Sequence, residues 1–133
     1  MVALDNENRV CLLRQYRHVA GGWLWELPAG KLDAGEPPLA TAQRELEEEA
    51  GLRASQWEPM GKIVSSPGVF TEIVYLFLAR NLIQVPPNME MHEIIEVHWI
   101  PFTEAIARAQ ANEITDAKTL VGLFRAGLIA GPS

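Results

Sequence analysis

The 133-residue chain has one cysteine, three histidines and no stripe of basic residues, and each of these shortages excludes a class of function. Cys11 cannot form an intrachain disulfide. It lies in the apolar run "VCLL", where a thiol reads as a small buried hydrophobe. His18, His92 and His98 show no metal-ligand spacing with Cys11 or with one another, so they read as structural or surface residues. A formal net charge of −6 without a basic patch makes nucleic acid a poor partner. An anionic small molecule bridged by a metal stays compatible. No apolar stretch approaches the ~20 residues that a membrane span requires. The start "MVALDNENRV" lacks the basic and apolar regions of a signal peptide. The expectation is a cytoplasmic protein without a membrane partner, folded as one domain over residues 1–133. Its 48% hydrophobic and 21% charged residues suit a single core.

Elements follow from periodicity and punctuation. "RVCLLRQY" after the turn residues "DNEN" predicts a strand, and "GGWLWELPAG" a second short one, bounded by glycines and by Pro28. "EPPLATAQRELEEEAGL" changes period: Pro37 and Pro38 suit a helix start and Gly51 its stop. Leu39, Ala42, Leu46 and Ala50 recur at three and four, forming one apolar stripe. "WEPMGKIVSS" and "IVYLFLARNL" are β-rich and flank the loop "PGVFTE"; "EIIEVHWIP" predicts a last strand. "FTEAIARAQANEI" and "TDAKTLVGLFRAGLIAG" carry helical spacing. Strands as a mixed set, one helix early and two late, argue for an α+β or α/β sandwich with helices on a mixed sheet. Trp23, Trp25, Trp57 and Trp99 each lie in or beside a predicted strand, where core packing is favoured over stacking on a base.

The segment from Gly30 to Leu52 crowds five glutamates, four of them at Glu45, Glu47, Glu48 and Glu49. With about 100° per residue, Glu45, Glu48 and Glu49 leave one side of the helix while the apolar stripe faces away. Like charges at i, i+4, as at Glu45 and Glu49, destabilise a bare helix by ~0.2–0.5 kcal/mol per pair. A solvated acidic face is one reading of the run. A hard cation shared by the three carboxylates is the other, and Mg²⁺ suits it, since it binds oxygen ligands and is usually held by a few carboxylates together with substrate phosphates.

The surrounding residues weigh toward the second reading. Gly30, Glu36, Arg44, Glu45, Leu46, Glu48, Glu49, Gly51 and Leu52 satisfy the pattern G-x5-E-x7-R-E-U-x-E-E-x-G-U, with U a bulky aliphatic. This resembles the Nudix box, the signature of hydrolases that cleave nucleoside diphosphates linked to another group. The resemblance implies an α/β/α sandwich around a mixed sheet, with Glu45, Glu48 and Glu49 as metal ligands and Glu36 close enough to tune the site. Arg44 would hold the neighbouring carboxylates; its i, i+4 spacing from Glu48 allows that on geometry alone. Gly30 and Gly51 are expected to let the backbone turn sharply into and out of the helix.

Pro67, sixteen residues after Gly51, is similar to a mark of the ADP-ribose pyrophosphatase branch of that family. "RQYRH", "WELPAG", "HEIIEVHWIP" and "EITDAKTL" also resemble the branch, so the likeness covers almost the whole chain. It implies that Arg14, Arg17 and Pro67 contact substrate, that the Ala29 carbonyl completes the metal shell, and that Glu72 helps to activate the attacking water; Glu93 would lie near the site. The implied cofactor is Mg²⁺, with Mn²⁺ as a substitute. The implied substrate is ADP-ribose or a related nucleotide, split to AMP and ribose 5-phosphate, and the implied assembly is a homodimer. The chain departs from the branch in two places: Val69, Phe70 and Thr71 precede Glu72, and it starts almost directly at the first core strand. Other nucleotide substrates, such as nucleotide-sugars, diadenosine polyphosphates or oxidised triphosphates, remain alternatives, as does a non-catalytic nucleotide-binding module.

Overall fold

In the computed structural model, residues 1–65, 72–86 and 95–130 are described. Six strands and three helices occur among them: β1 (Val2–Ala3), β2 (Arg9–Arg17), β3 (Gly22–Glu26), α1 (Pro38–Ala50), β4 (Leu52–Ser65), β5 (Glu72–Gln84), β6 (Ile95–Pro101), α2 (Phe102–Gln110) and α3 (Ala117–Ala130). The strands form two three-stranded sheets, ordered β1-β5-β4 and β3-β2-β6. The first is mixed, because β1 runs parallel to β5 (Val2 beside Leu78) while β4 and β5 form a long antiparallel pair. The second is antiparallel throughout.

Every predicted element is present; only β1, two residues long and so without a readable period, goes beyond the expectation. Val10 to Leu13 are buried without interruption because helices cover both sides of β2, and a strand covered twice loses the apolar–polar alternation. Even-numbered Val10 and Leu12 join Val2, Leu4, Leu76, Leu78 and Ile100 in a core beneath Phe102, Ala105, Leu123 and Ala126 of α2 and α3. Odd-numbered Cys11 and Leu13 join Ala3, Leu52 and Ala79 in a second core beneath Leu46 of α1. The strands thus lie between helical layers, which is an α/β/α arrangement.

Within α1, Ala42 and Leu46 are buried as the stripe predicts, whereas Leu39 is 39% exposed. Leu39 sits in the first turn, before the helix reaches the sheet. Gly51 ends α1 at φ 65°, the left-handed stop expected of it, and its N–H caps the Glu47 carbonyl. Pro59 is tolerated within β4 because that strand is at the sheet edge, beside the register shift between Pro59 and Lys62. Cys11 is fully buried, and burial pushes its thiol pKa up to about 12, as befits a packing residue. Of the tryptophans, Trp25, Trp57 and Trp99 pack partly against the cores, but Trp23 is 40% exposed.

Candidate functional site

Because α1 buries Ala42 and Leu46, its opposite side carries the charged residues, and Arg44 stands at their centre. Its Nη1 donates to Glu45 Oε1 at 2.8 Å and to Glu48 Oε2 at 3.4 Å. Its Nη2 donates to Glu36 Oε1 at 2.9 Å and lies 3.4 Å from Asp33 Oδ2. Four carboxylates therefore share one guanidinium, leaving a surplus of three negative charges at the N-terminal loop and outer face of one helix. Glu47, in the middle of the same run, leaves in another direction and pairs with Arg53 at 2.8 Å.

The electrostatics of these groups differ. Glu36 accepts from Arg44 and from the Thr41 hydroxyl at 2.6 Å, and these bonds hold its pKa down to about 2. Arg44 is held further above its already high value by Glu36. Glu45 shifts the opposite way from Glu36: burial raises its pKa, assisted by Glu48 and Asp33, and outweighs Arg44. A group desolvated among like charges is stabilised most by an added cation.

The segment leaving β3 passes alongside this face. The Ala29 N–H donates to Glu49 Oε1 at 2.8 Å, which brings the third of the expected ligand glutamates against the backbone whose carbonyl was expected to be a ligand. Gly30 lies under Glu45: a Cβ there would overlap Glu45 Cγ and Cδ. Gly30 is not among the positive-φ residues, so no left-handed backbone calls for a glycine there. The missing side chain is needed for close approach of Glu45.

Glu45, Glu48 and Glu49 supply only carboxylate oxygens, the donor chemistry of a hard cation. Arg44 occupies one oxygen of Glu45 and one of Glu48, and each of these carboxylates has a second. The oxygens are not already gathered around one point: among the described residues no three acidic, His or Cys groups form a metal-ready cluster. The donor chemistry fits a divalent cation, which the side chains would have to close around.

The other expected site residues divide. Arg17 lies on the odd-numbered face of β2 and makes a two-pronged contact with Glu26, Nε to Oε2 at 2.8 Å and Nη2 to Oε1 at 3.1 Å. Arg14 lies on the even-numbered face, its guanidinium 5.2 Å and 5.8 Å from the ring centres of Trp23 and Trp25. Strand alternation alone separates the two arginines. Glu72 is exposed at the first position of β5, opposite Ser65. Pro67, Glu93 and His92 lie outside the described residues. His98 is half-buried, beside Glu96 and edge-on to Trp25, and His18 stacks edge-on against Tyr16.

The NUDIX domain profile matches residues 1–121. The chain belongs to the NUDIX domain family. Among curated relatives, the ADP-ribose pyrophosphatase of Mycobacterium tuberculosis is 41% identical over 127 residues, covering 93% of this chain and 61% of that protein. The ADP-ribose pyrophosphatase of Bacillus subtilis is 36% identical over 121 residues, covering 90% of this chain and 65% of the relative. The chain thus spans less than two thirds of the length of either. A crystal structure of an ADP compounds hydrolase superposes with a TM-score of 0.85 over 98% of this chain and 71% of that one, at 20% identity, a likeness of fold.

Sequence reasoning missed two parts of this Nudix domain. Asp33, a fourth carboxylate on Arg44, occupies an unspecified position of the box, so the motif could not select it. Glu26, an acidic residue, is only 3% exposed, and Arg17 and Lys118 both pair with it. An acidic residue inside the short apolar strand "WLWELP" was its only local signal. No helix among the described residues is long and apolar enough to cross a membrane.

Proposed function

We propose that this Nudix domain hydrolyses the pyrophosphate bond of ADP-ribose, or of a closely related nucleoside diphosphate derivative, to AMP and ribose 5-phosphate. The observation that carries the reading is the carboxylate surplus around Arg44, set beside the Ala29–Gly30 backbone. The similarity to two ADP-ribose pyrophosphatases supports the choice of substrate.

Glu45, Glu48, Glu49 and the Ala29 carbonyl would hold Mg²⁺, with Mn²⁺ as a substitute. When bound, the metal supplies charge neutralisation for the pyrophosphate and lowers the pKa of a water. Arg44 bridges Glu45 and Glu48 through one guanidinium nitrogen and so keeps the two carboxylates near one another. Arg17, anchored by Glu26, would lie near the substrate's phosphates or terminal ribose; Arg14 and Pro67 would contribute to the same substrate from their own positions. Glu72, at the first position of β5, would accept the proton of the attacking water. The water oxygen forms a bond to one phosphorus as the bridging P–O bond breaks, and the other phosphate leaves with the bridging oxygen. The protein would act as a cytoplasmic homodimer, without nucleic acid or membrane.

Product analysis tests this: the protein with Mg²⁺ is given ADP-ribose, nucleotide-sugars, diadenosine polyphosphates and nucleoside triphosphates. AMP and ribose 5-phosphate in clear preference is the expected result. Preferred cleavage of another compound moves the substrate, and no cleavage at all favours a nucleotide-binding module. Glu48→Gln should remove most turnover with the fold intact, since Glu48 is one-third exposed. Near-normal turnover of that variant at saturating Mg²⁺ would refute the metal assignment.

A further inference from the structure

The segment from Glu26 to Ala29 is held from the far end of the chain. Asp116 directly precedes α3, and its Oδ2 accepts the Thr119 N–H at 3.2 Å, the pattern of a helix N-cap. The same oxygen accepts the Thr119 hydroxyl proton at 2.6 Å. That hydroxyl oxygen in turn accepts the Leu27 N–H at 3.0 Å, across 92 positions of sequence. Thr119 is 0% exposed and Leu27 3% exposed, so this bond is shielded from water. Beside it, Lys118 Nζ donates to Asp116 at 3.0 Å and to Glu26 Oε1 at 3.2 Å. Burial lowers the Lys118 pKa, but the bonds to Asp116 and Glu26 outweigh it and raise the value overall, keeping the ammonium charged. Two residues beyond Leu27, the Ala29 N–H reaches Glu49, and the next residue lies against Glu45.

We propose that Thr119 and Lys118 are positioning residues for the candidate metal site: they latch the start of α3 to the strand exit at Glu26 and Leu27, and thereby set where Ala29 and Gly30 meet Glu49 and Glu45. The physical reason is reach. Ala29 follows the Leu27 N–H by two residues, and Pro28 between them has its φ fixed by the ring, so an anchor at Leu27 is transmitted with little slack. Thr119 can do this because one hydroxyl donates to Asp116 and accepts from Leu27 at once. The latch itself rests on contacts within the chain; its effect on metal binding rests on the proposed role of the Ala29 carbonyl and the α1 glutamates.

The test compares Thr119→Val, which keeps the shape and removes the hydroxyl, with Thr119→Ser, which keeps the hydroxyl. Lys118→Met serves as a second, milder variant, and Leu123→Ala, at a fully buried position of the same helix, as a control for general destabilisation. Hydrogen exchange of the Ala29 amide, relative to core amides of β2 and β5, reads the latch with neither metal nor substrate. Thr119→Val should speed Ala29 exchange by about tenfold beyond any change in the core, as loss of one buried hydrogen bond implies. Titration with Mn²⁺, followed by its free-ion paramagnetic resonance signal, should show weakening of similar size. Thr119→Ser should restore both, Lys118→Met should shift both in the same direction, and Leu123→Ala should leave the Ala29-to-core ratio and the Mn²⁺ affinity unchanged. If Thr119→Val fails to fold, the Lys118→Met and Leu123→Ala pair decides. Unchanged Ala29 exchange in the hydroxyl-free protein, or an equal loss in Leu123→Ala, overturns the latch whatever the substrate proves to be. Altered exchange with unaltered Mn²⁺ affinity overturns its link to the metal site. Failure of the wild type to cleave ADP-ribose would instead count against the proposed activity and leave these readouts intact.

Discussion

Substituting Gly30 by alanine would separate close packing from backbone conformation at the site. An added Cβ overlaps Glu45 Cγ and Cδ, so the glutamate must swing away and give up its 2.8 Å bond to Arg44. Overpacking of this kind costs ~1–3 kcal/mol. The atoms displaced belong to the end of a flexible side chain, so the lower half of that range applies. For a chain of this length such a loss lowers Tm by roughly 4–8 °C. Activity should suffer more, because moving a positioned group by about 1 Å can cost ~10²-fold. The assay is kcat/KM for ADP-ribose across a Mg²⁺ titration, alongside thermal unfolding. Gly35→Ala is the matched control: Gly35 has φ 77° with nothing within 4 Å of a built Cβ, so the change costs about 1 kcal/mol in backbone strain and touches no carboxylate. Gly35→Ala should lose a few degrees of Tm and keep turnover. Wild-type turnover and Mg²⁺ dependence in Gly30→Ala would refute the claim that Gly30 is there to seat Glu45.

Three more outcomes are expected. Glu36 is depressed from 4.5 to about 2 by Arg44 and Thr41, so its stabilisation is complete above pH 4.5 and is lost as pH falls toward 2; the Tm difference between wild type and Glu36→Gln should be constant at higher pH and shrink across that window, and a difference that persists unchanged at pH 2 would contradict the assignment. Cys11, buried and raised to about 12, should resist iodoacetamide at pH 8 in the native protein and react once urea unfolds it; rapid native alkylation would show the second core to be open. Leu46→Ala deletes a fully buried side chain beneath α1 and should cost about 3 kcal/mol by urea unfolding, and a loss under ~1 kcal/mol would mean that α1 is not anchored there.

The order of elements was legible because each was announced locally: Pro37–Pro38 and Gly51 bracket α1, the apolar run "VCLL" marks a strand, and spacing alone puts Glu45, Glu48 and Glu49 on one side of the helix. Arg44 could be assigned to Glu48 from the same turn geometry, and the two were found 3.4 Å apart. Arg14 and Arg17, by contrast, were grouped by likeness to a family motif, although strand alternation alone puts them on opposite faces. The role of Gly30 was not legible, since whether a glycine supplies a turn or a gap depends on what lies above it.

What the sequence determined by itself, then, were features with a short physical range: helical and strand periods, caps, and the carboxylate face of one helix. Only tertiary structure decided that Thr119 and Lys118 meet Leu27 and Glu26, that Asp33 joins the Arg44 cluster, and that Ala29 reaches Glu49. Those contacts join segments up to 92 positions apart. No local pattern encodes them, because they exist only once both helical layers have closed on the sheets and water has been excluded from between them.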